Sequence, residues 1–195
     1  MTVVRTASLD DLGEMSTVLG DAFYDDPIMT WVFPDAETRP RLLEAMFGFL
    51  AEYRYLPETL STICQDAAAL WSRPHTMPDD GFWEQRGGQF SEALEGQVER
   101  LGMVSDAISR RHPGDPHRYL LSIGVRSSAQ GRGLGGLLMA HTLAEIDAAG
   151  ECAYLEATSP RSRILYERHG FEVTDQIDID GCPPMWPMWR EARRS

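Results

Sequence analysis

The sequence predicts one mixed α/β domain of the α+β kind, on three observations. The second half reads as strand, glycine-rich turn, amphipathic helix, strand, short helix and two closing strands. The first half carries two amphipathic helices and a hairpin. The 195 residues are 43% hydrophobic and 25% charged, enough for one core of ordinary size, and no repeat, low-complexity tract or linker divides them.

Taken in order, Val3 to Thr6 is a short strand, and Ser8 is placed to cap a helix whose Leu12, Met15, Val18, Leu19 and Ala22 share one face. Asp25-Asp26-Pro27 breaks that helix, and Pro34 and Pro40 punctuate the next segment. Leu42, Leu43, Met46, Phe47 and Leu50 mark a second helix from Arg41 to Tyr55. Thr59 to Cys64 and Ala67 to Ser72 form a hairpin about Gln65-Asp66, and Pro74 to Gly81 is a loop. Phe90, Leu94, Val98, Leu101 and Ile108 predict one long helix ending near His112-Pro113-Gly114. Tyr119 to Val125 is the fourth strand. A helix with Leu138, Met139, Thr142, Leu143 and Ile146 on one side follows the glycine-rich turn and stops at Gly150. Ala153 to Ala157 is the fifth strand, Ser162 to His169 a short helix, and Glu172 to Ile177 and Met185 to Arg190 the last strands.

Composition narrows the function classes. The net charge is −12, from 30 acidic and 18 basic residues. Such a surface repels a phosphate backbone and attracts cations, which argues against a nucleic-acid partner and for an amine-bearing one. No stretch approaches the roughly 20 apolar residues needed to cross a bilayer, and Met1 to Asp11 lacks a basic-then-apolar leader. The expectation is a cytoplasmic protein without a membrane partner. Cys64, Cys152 and Cys182 show no metal-binding or disulfide spacing, so free thiols and no metal are expected. All 18 basic residues are Arg and there is no Asn, as a GC-rich, bacterial coding sequence would give.

The informative segment is Gln130-Gly131-Arg132-Gly133-Leu134-Gly135-Gly136, between a strand and a helix. Glycines permit positive φ and close approach of backbone to ligand. The next helix offers unpaired N–H groups and its positive dipole end to a phosphate, and Arg132 can add charge-assisted bonds. Two ligands compete for this loop. Gly131, Gly133 and Gly136 satisfy a dinucleotide fingerprint, with Glu156 twenty residues on. In that fingerprint, however, the first glycine follows its strand directly, whereas Arg126 to Gln130 intervene here, and repeating βαβ units are absent.

The second ligand is acetyl-CoA. Gln130-x-x-Gly133-x-Gly135 after a Val-ended strand resembles the pyrophosphate loop of the GCN5-related N-acetyltransferase (GNAT) superfamily. The resemblance continues through Leu155-Glu156-Ala157-Thr158 and Leu165-Tyr166-Glu167-Arg168-His169-Gly170-Phe171, covering residues 117 to 190. Within the superfamily, Ala68 to Pro74, the Glu156-to-Phe171 stretch and Gly181-Cys182-Pro183-Pro184-Met185-Trp186 resemble the puromycin N-acetyltransferases.

This resemblance implies a GNAT fold: a mixed central sheet of six to seven strands, helices on both faces, and a V-shaped splay between strands four and five. Residues 1–195 would form a single domain, with an acceptor-side half (1–116, including a helical insert at 74–114) and an acetyl-CoA-binding half (117–195). Ile123, Gly124 and Val125 would pair with the pantetheine arm. The Val125 N–H would polarise the thioester carbonyl, a donor worth roughly 3 kcal/mol. Gln130, Gly131, Arg132, Gly133, Leu134, Gly135 and Gly136 would hold the pyrophosphate. The acceptor amine would attack directly, and no Cys or Ser beside a His suggests a covalent route. An alkylamine of pKa near 10 needs a base, and Glu156 leads, ahead of His117 and Tyr119. His117 is otherwise read as a solvated strand-edge histidine. Tyr166 matches the tyrosine that serves the departing thiolate. Full proton transfer from a phenol near 10 to a thiol near 8.5 is uphill by roughly 2 kcal/mol, so hydrogen bonding alone is an equal reading. Many relatives carry Asn where Ser162 stands, and Ser162 would cap its helix and offer the pantetheine one hydroxyl.

For the acceptor, Asp25, Asp26, Trp31, Phe33, Trp71, Trp83, Trp186 and Trp189 are candidates to wall a pocket, with Asp26, Trp31, Trp71 and Trp83 foremost. The expected activity is acetyl transfer from acetyl-CoA to a small amine, an aminonucleoside or antibiotic-like molecule, in resistance or detoxification, by a monomer or homodimer. The alternatives are a protein lysine or N-terminal acetyltransferase and a non-enzymatic coenzyme A-binding module.

Overall fold

In the computed structural model, which describes residues 2–58, 60–73 and 80–192, seven strands form one sheet in the order β1-β2-β3-β4-β5-β7-β6. These are β1 (Arg5–Thr6), β2 (Thr62–Cys64), β3 (Ala67–Ser72), β4 (His117–Val125), β5 (Cys152–Ala157), β6 (Glu172–Val173) and β7 (Trp186–Arg190). Only β4 and β5 run parallel; every other neighbouring pair is antiparallel. Helices α1 (Leu12–Ala22), α2 (Pro27–Val32), α3 (Arg39–Leu50), α4 (Asp80–Ala93) and α5 (Glu99–Ser109) precede β4, while α6 (Leu134–Ala149) and α7 (Pro160–Arg168) flank β5.

The period-two alternation of strands sorts residues between the two faces. Ala68 and Leu70 of β3 join the core under α1 and α3, whereas Ala67, Ala69 and Trp71 join the core under α6. Helix α1 lies against β4 because Gly124 has no side chain. A Cβ there would meet Ala22 Cβ at 2.7 Å and Leu19 Cδ2 at 3.0 Å. Buried charges are paired or bonded: Arg39 donates to the carbonyls of Phe33, Tyr24 and Pro34, and Arg190 grips Asp147 through two 2.7 Å bonds.

The decisive irregularity is in β4. Opposite β3, Leu70 pairs with Ser122 and Trp71 with Leu120, so Leu121 is a bulge. Toward β5, pairing runs from His117↔Cys152 to Leu120↔Leu155 and stops there. Beyond that point the two strands diverge, and the V-shaped splay forms from residues 121–125 and 156–157.

The sequence reading differs in four places. The single long helix of the 90–112 region is two helices, broken where Glu95 and Gly96 adopt positive φ (53° and 77°). Helix α2 is additional to the sequence reading; Asp26 caps it and Pro27 occupies its first turn. The second helix ends at Leu50 and passes into a π-helical turn, Ala51–Tyr55. The cap of α7 is Ser159, not Ser162. The predicted 74–81 loop falls largely outside the described residues, which resume at 80 in helical form.

Gly124→Ala should destabilise the fold by about 1–3 kcal/mol, because Ala22 is backbone-anchored and cannot swing aside. Gly135→Ala, whose Cβ would meet Val125 Cγ2 at an ordinary 3.6 Å, should not. Thermal denaturation of both variants checks this; equal melting temperatures would contradict it.

Candidate functional site

The splay leaves backbone groups of β4 without a strand partner on one side. The Arg126 N–H donates to Asp66 O, which fixes the alternation of the β3–β4 ladder. Gly124 and Ser122 therefore bond toward β3, and the N–H and C=O of Ile123 and Val125 face the gap. The Val125 carbonyl accepts from the Gln130 side chain at 3.3 Å, on that open side. The sequence grouped Ile123, Gly124 and Val125 together. The structure separates them: Gly124 serves helix packing and the β3 ladder, and the other two present their backbone.

Downstream, Gly131 and Gly133 hold φ of 77° and 81°, and nothing lies within 4 Å of a Cβ built on either. Backbone conformation, with open space above it, is what requires glycine there. Gly133 is the N-cap of α6, without a side-chain cap bond, and the first backbone bond of the helix is Leu137 N–H to Gly133 O. The N–H groups of Leu134, Gly135 and Gly136 thus begin a helix uncapped, the arrangement that receives an anion. Arg132 is exposed beside them, while the Leu134 side chain is buried in the α6 core.

On the α1–α5 face a cavity of about 460 Å³ opens against the sheet. Its floor is Tyr119, Leu121 and Ser122 of β4, Glu156 of β5, and Thr158. The bulge places both Leu121 and Ser122 on this face. Its walls come from α3 (Met46, Phe47), α4 (Trp83, Phe90), Val98 and α5 (Leu101, Val104). Glu156 Oε2 accepts from the Tyr119 hydroxyl at 2.8 Å. Its other oxygen and Ser122 Oγ are buried and partnerless among the described residues. Burial pushes the Glu156 carboxyl up to about 7, against the pull of the Tyr119 and Tyr154 hydroxyls.

Tyr166 is buried, edge-on to Phe171 at 6.1 Å, and its hydroxyl makes no hydrogen bond among the described residues. Burial, then the nearby Asp26 carboxylate, hold its phenol well above its ordinary range. Asp26 accepts from the Ile28 and Met29 N–H groups and from the Thr158 hydroxyl, so it ties α2 to the end of β5. Burial raises its carboxyl too.

Other expected site residues are placed differently. Trp71 is 1% exposed in the core under α6, on the opposite face of the sheet from the cavity, so it is not a pocket residue. Trp31 does not line the cavity; its ring stacks with the Arg100 guanidinium at 5.0 Å and its carbonyl accepts from Arg100. Trp83 does line it. Ser162 spends its groups on the α7 cap: its N–H donates to Ser159 Oγ and its hydroxyl to Ser159 O. That leaves it no hydrogen to donate to a pantetheine. His117 is buried, not solvated, and shares a 3.0 Å contact with His112 while its Nδ1 meets Asp115 O. Burial, with His117 alongside, lowers His112 to about 4. Sequence reasoning missed Ser122, Tyr55 and Tyr154. The π-helical turn that carries Tyr55 into the cavity has no sequence signal of its own, and Ser122 depends on the bulge.

Comparison with known proteins points to the same fold. An acetyltransferase (GNAT) domain model matches residues 90–173. An uncharacterized N-acetyltransferase, C550.08, of Schizosaccharomyces pombe is 27% identical over 181 residues, 86% of this chain and 73% of that protein. The crystal structure of histone acetyltransferase HPA2 and related acetyltransferase from Corynebacterium glutamicum superposes with a TM-score of 0.77 at 28% identity, covering 100% of this chain and 98% of that one. The Drosophila melanogaster polyamine N-acetyltransferase shares the fold, with a TM-score of 0.61 at 17% identity over 98% and 100% of the two chains. The fold is that of the GNAT acetyltransferases, and the chain is similar to N-acetyltransferases over most of its length. Among the described residues no group of acidic, His or Cys side chains is arranged to hold a metal, and no helix is long and apolar enough to cross a membrane.

Glu156 makes a stability prediction independent of activity. Its folded pKa, about 7, lies above the ordinary 4.5 of a glutamate, so its contribution is present at low pH and is lost as pH rises through 7. Between pH 5 and 8 wild type should lose roughly 2–3 kcal/mol relative to Glu156→Gln. Denaturant unfolding of both at the two pH values checks this; parallel pH dependences would contradict it.

Proposed function

We propose that this protein transfers an acetyl group from acetyl-CoA to the amine of a small molecule held in the cavity over Glu156. The observation that carries the reading is the parting of β4 from β5. It turns the Ile123 and Val125 backbone outward on the strand that leads to the uncapped N-terminus of α6, beside the strand that carries Glu156.

The residues present fit the donor. The glycine loop and the first N–H groups of α6 would hold its diphosphate, and Ile123 and Val125 would bond its amide arm as an added strand does. Acetyl-CoA supplies an activated acyl group. The chain supplies the rest. Glu156, ionised over half its molecules above pH 7, removes the proton of an ammonium whose pKa is near 10. Glu156 Oε1 and Ser122 Oγ, buried without partners, are two acceptors for one amine head. The Val125 N–H would polarise a carbonyl in the gap. Tyr166, its phenol held protonated by burial, can donate to a departing thiolate. Direct transfer of this kind needs no enzyme nucleophile, in line with Cys64, Cys152 and Cys182 all having thiols raised by burial.

Structural relatives named for agmatine, polyamine and arylalkylamine acetylation support a small-amine acceptor. A protein lysine would call for an open groove; α3, α4 and α5 instead wall the floor on several sides.

Thiol release from acetyl-CoA in the presence of small amines, with a mass gain of one acetyl group on the amine, tests the proposal. Release only with a lysine peptide, or no coenzyme binding, would overturn it. The rate should rise with pH through an apparent pKa near 7, and Glu156→Gln should abolish that rise while lowering kcat/KM roughly 100- to 10,000-fold. Tyr166→Phe should lower kcat roughly 10- to 1000-fold with unchanged acetyl-CoA affinity; wild-type turnover would remove Tyr166 from the reaction.

A further inference from the structure

The cavity is chemically lopsided. The hydrophilic groups on its sheet side and at the turn before β2 are Tyr55, Tyr119, Ser122, Glu156 and Thr158. Phe23 and the lining residues contributed by α2, α3 and α4, among them Ile28, Met46, Phe47 and Phe90, are all apolar or aromatic. Val98 and helix α5, through Leu101 and Val104, add to the same wall, and α5 turns Ser105, Asp106 and Ser109, which are exposed, to the rim.

The geometry points to a monoamine acceptor: one amine head on Glu156 and Ser122, and an uncharged hydrophobic or aromatic body along α3, α4 and α5, with diamines and guanidino-amines refused. This rests on the acetyl-transfer reading above and names its substrate class.

The physical ground is the fate of a second cation. Among the described lining residues the titratable groups are Tyr55, Tyr119 and Glu156 at the floor and Asp106 on α5. Glu156 is taken by the reacting amine. Asp106 is exposed, and a solvated ion pair with it is worth at most about a five-fold gain. An ammonium lodged against the apolar wall must shed its proton. With a pKa near 10.4, that costs about 100- to 1000-fold at pH 7.5 to 8. An apolar body at the same place is instead rewarded for the surface it buries.

The class can be read directly from kcat/KM with 2-phenylethylamine, n-hexylamine, 1,4-diaminobutane and agmatine. The two monoamines should exceed the two dications by at least 100-fold at pH 7.5. Taking the ratio cancels the titration of Glu156, which serves every substrate alike. The ratio to 1,4-diaminobutane should then fall about ten-fold per pH unit from 7.5 to 9.5, as its distal amine becomes neutral. The ratio to agmatine should stay constant, since a guanidinium does not deprotonate in that range. Leu101→Asp, which sets a carboxylate on the α5 wall, should narrow the agmatine ratio at least ten-fold. Should that variant fail to fold, the two pH series on wild type decide alone. Dications used as well as the monoamines would overturn the substrate class and leave acetyl transfer standing. Transfer to none of the four amines, with acetyl-CoA still bound, would overturn the acetyl-transfer reading itself.

Discussion

Everything at this site depends on where β4 stops pairing with β5. Parallel strands bond continuously while their registers match, and here the match ends at Leu120↔Leu155. The cause is one extra residue, Leu121, accommodated on β4 opposite the Leu70–Trp71 step of β3. A bulge increases local twist and turns the strand away from its neighbour. Without it, Ile123 and Val125 would spend their backbone groups on β5, and the opening would close.

The same bulge assigns side chains to their tasks. Before it, Tyr119 faces the cavity and Leu120 the α6 core; after it, Ser122 faces the cavity and Ile123 packs toward α6. Two consecutive residues, Leu121 and Ser122, therefore reach the cavity from a strand that would otherwise offer one. Glu156 arrives from β5 on the same face, and Tyr119 bonds it. The carboxylate is thus held by one hydroxyl and shielded from solvent, which raises its affinity for a proton without neutralising it at physiological pH. On the proposed reading, a carboxylate poised in this way is a base strong enough to matter and still ionised enough to act.

The glycine-rich turn and the elements around it were legible in the sequence because they are encoded locally. Gly131 and Gly133 are required by their own φ, Gly150 by the αL cap of α6, and the strand–turn–helix order by hydrophobic period. A mixed sheet of six to seven strands and the splay followed from the resemblance those residues carry. The cavity was less legible because it is made by contacts between distant segments. Trp71 was misplaced because alternation along a strand says which residues share a face and not which face meets which helix. Ser122 depends on a bulge, which is a relation between two strands. The break between α4 and α5 did have a local signal, Gly96, that the apolar periodicity outweighed, and Asp26-Pro27, read only as the end of α1, is also the cap and first turn of α2. Ser162 was placed at the right helix end, and its neighbour Ser159 proved to be the cap.

The central claim is that the gap beside β4 seats the donor, and residue-resolved amide hydrogen exchange with and without coenzyme A tests it most directly. The alternation predicts that coenzyme A slows exchange at Ile123, Val125 and the 131–136 loop, while Gly124, already bonded to β3, is unchanged. Uniform protection along β4, or binding that leaves Ile123 and Val125 untouched, would contradict the account.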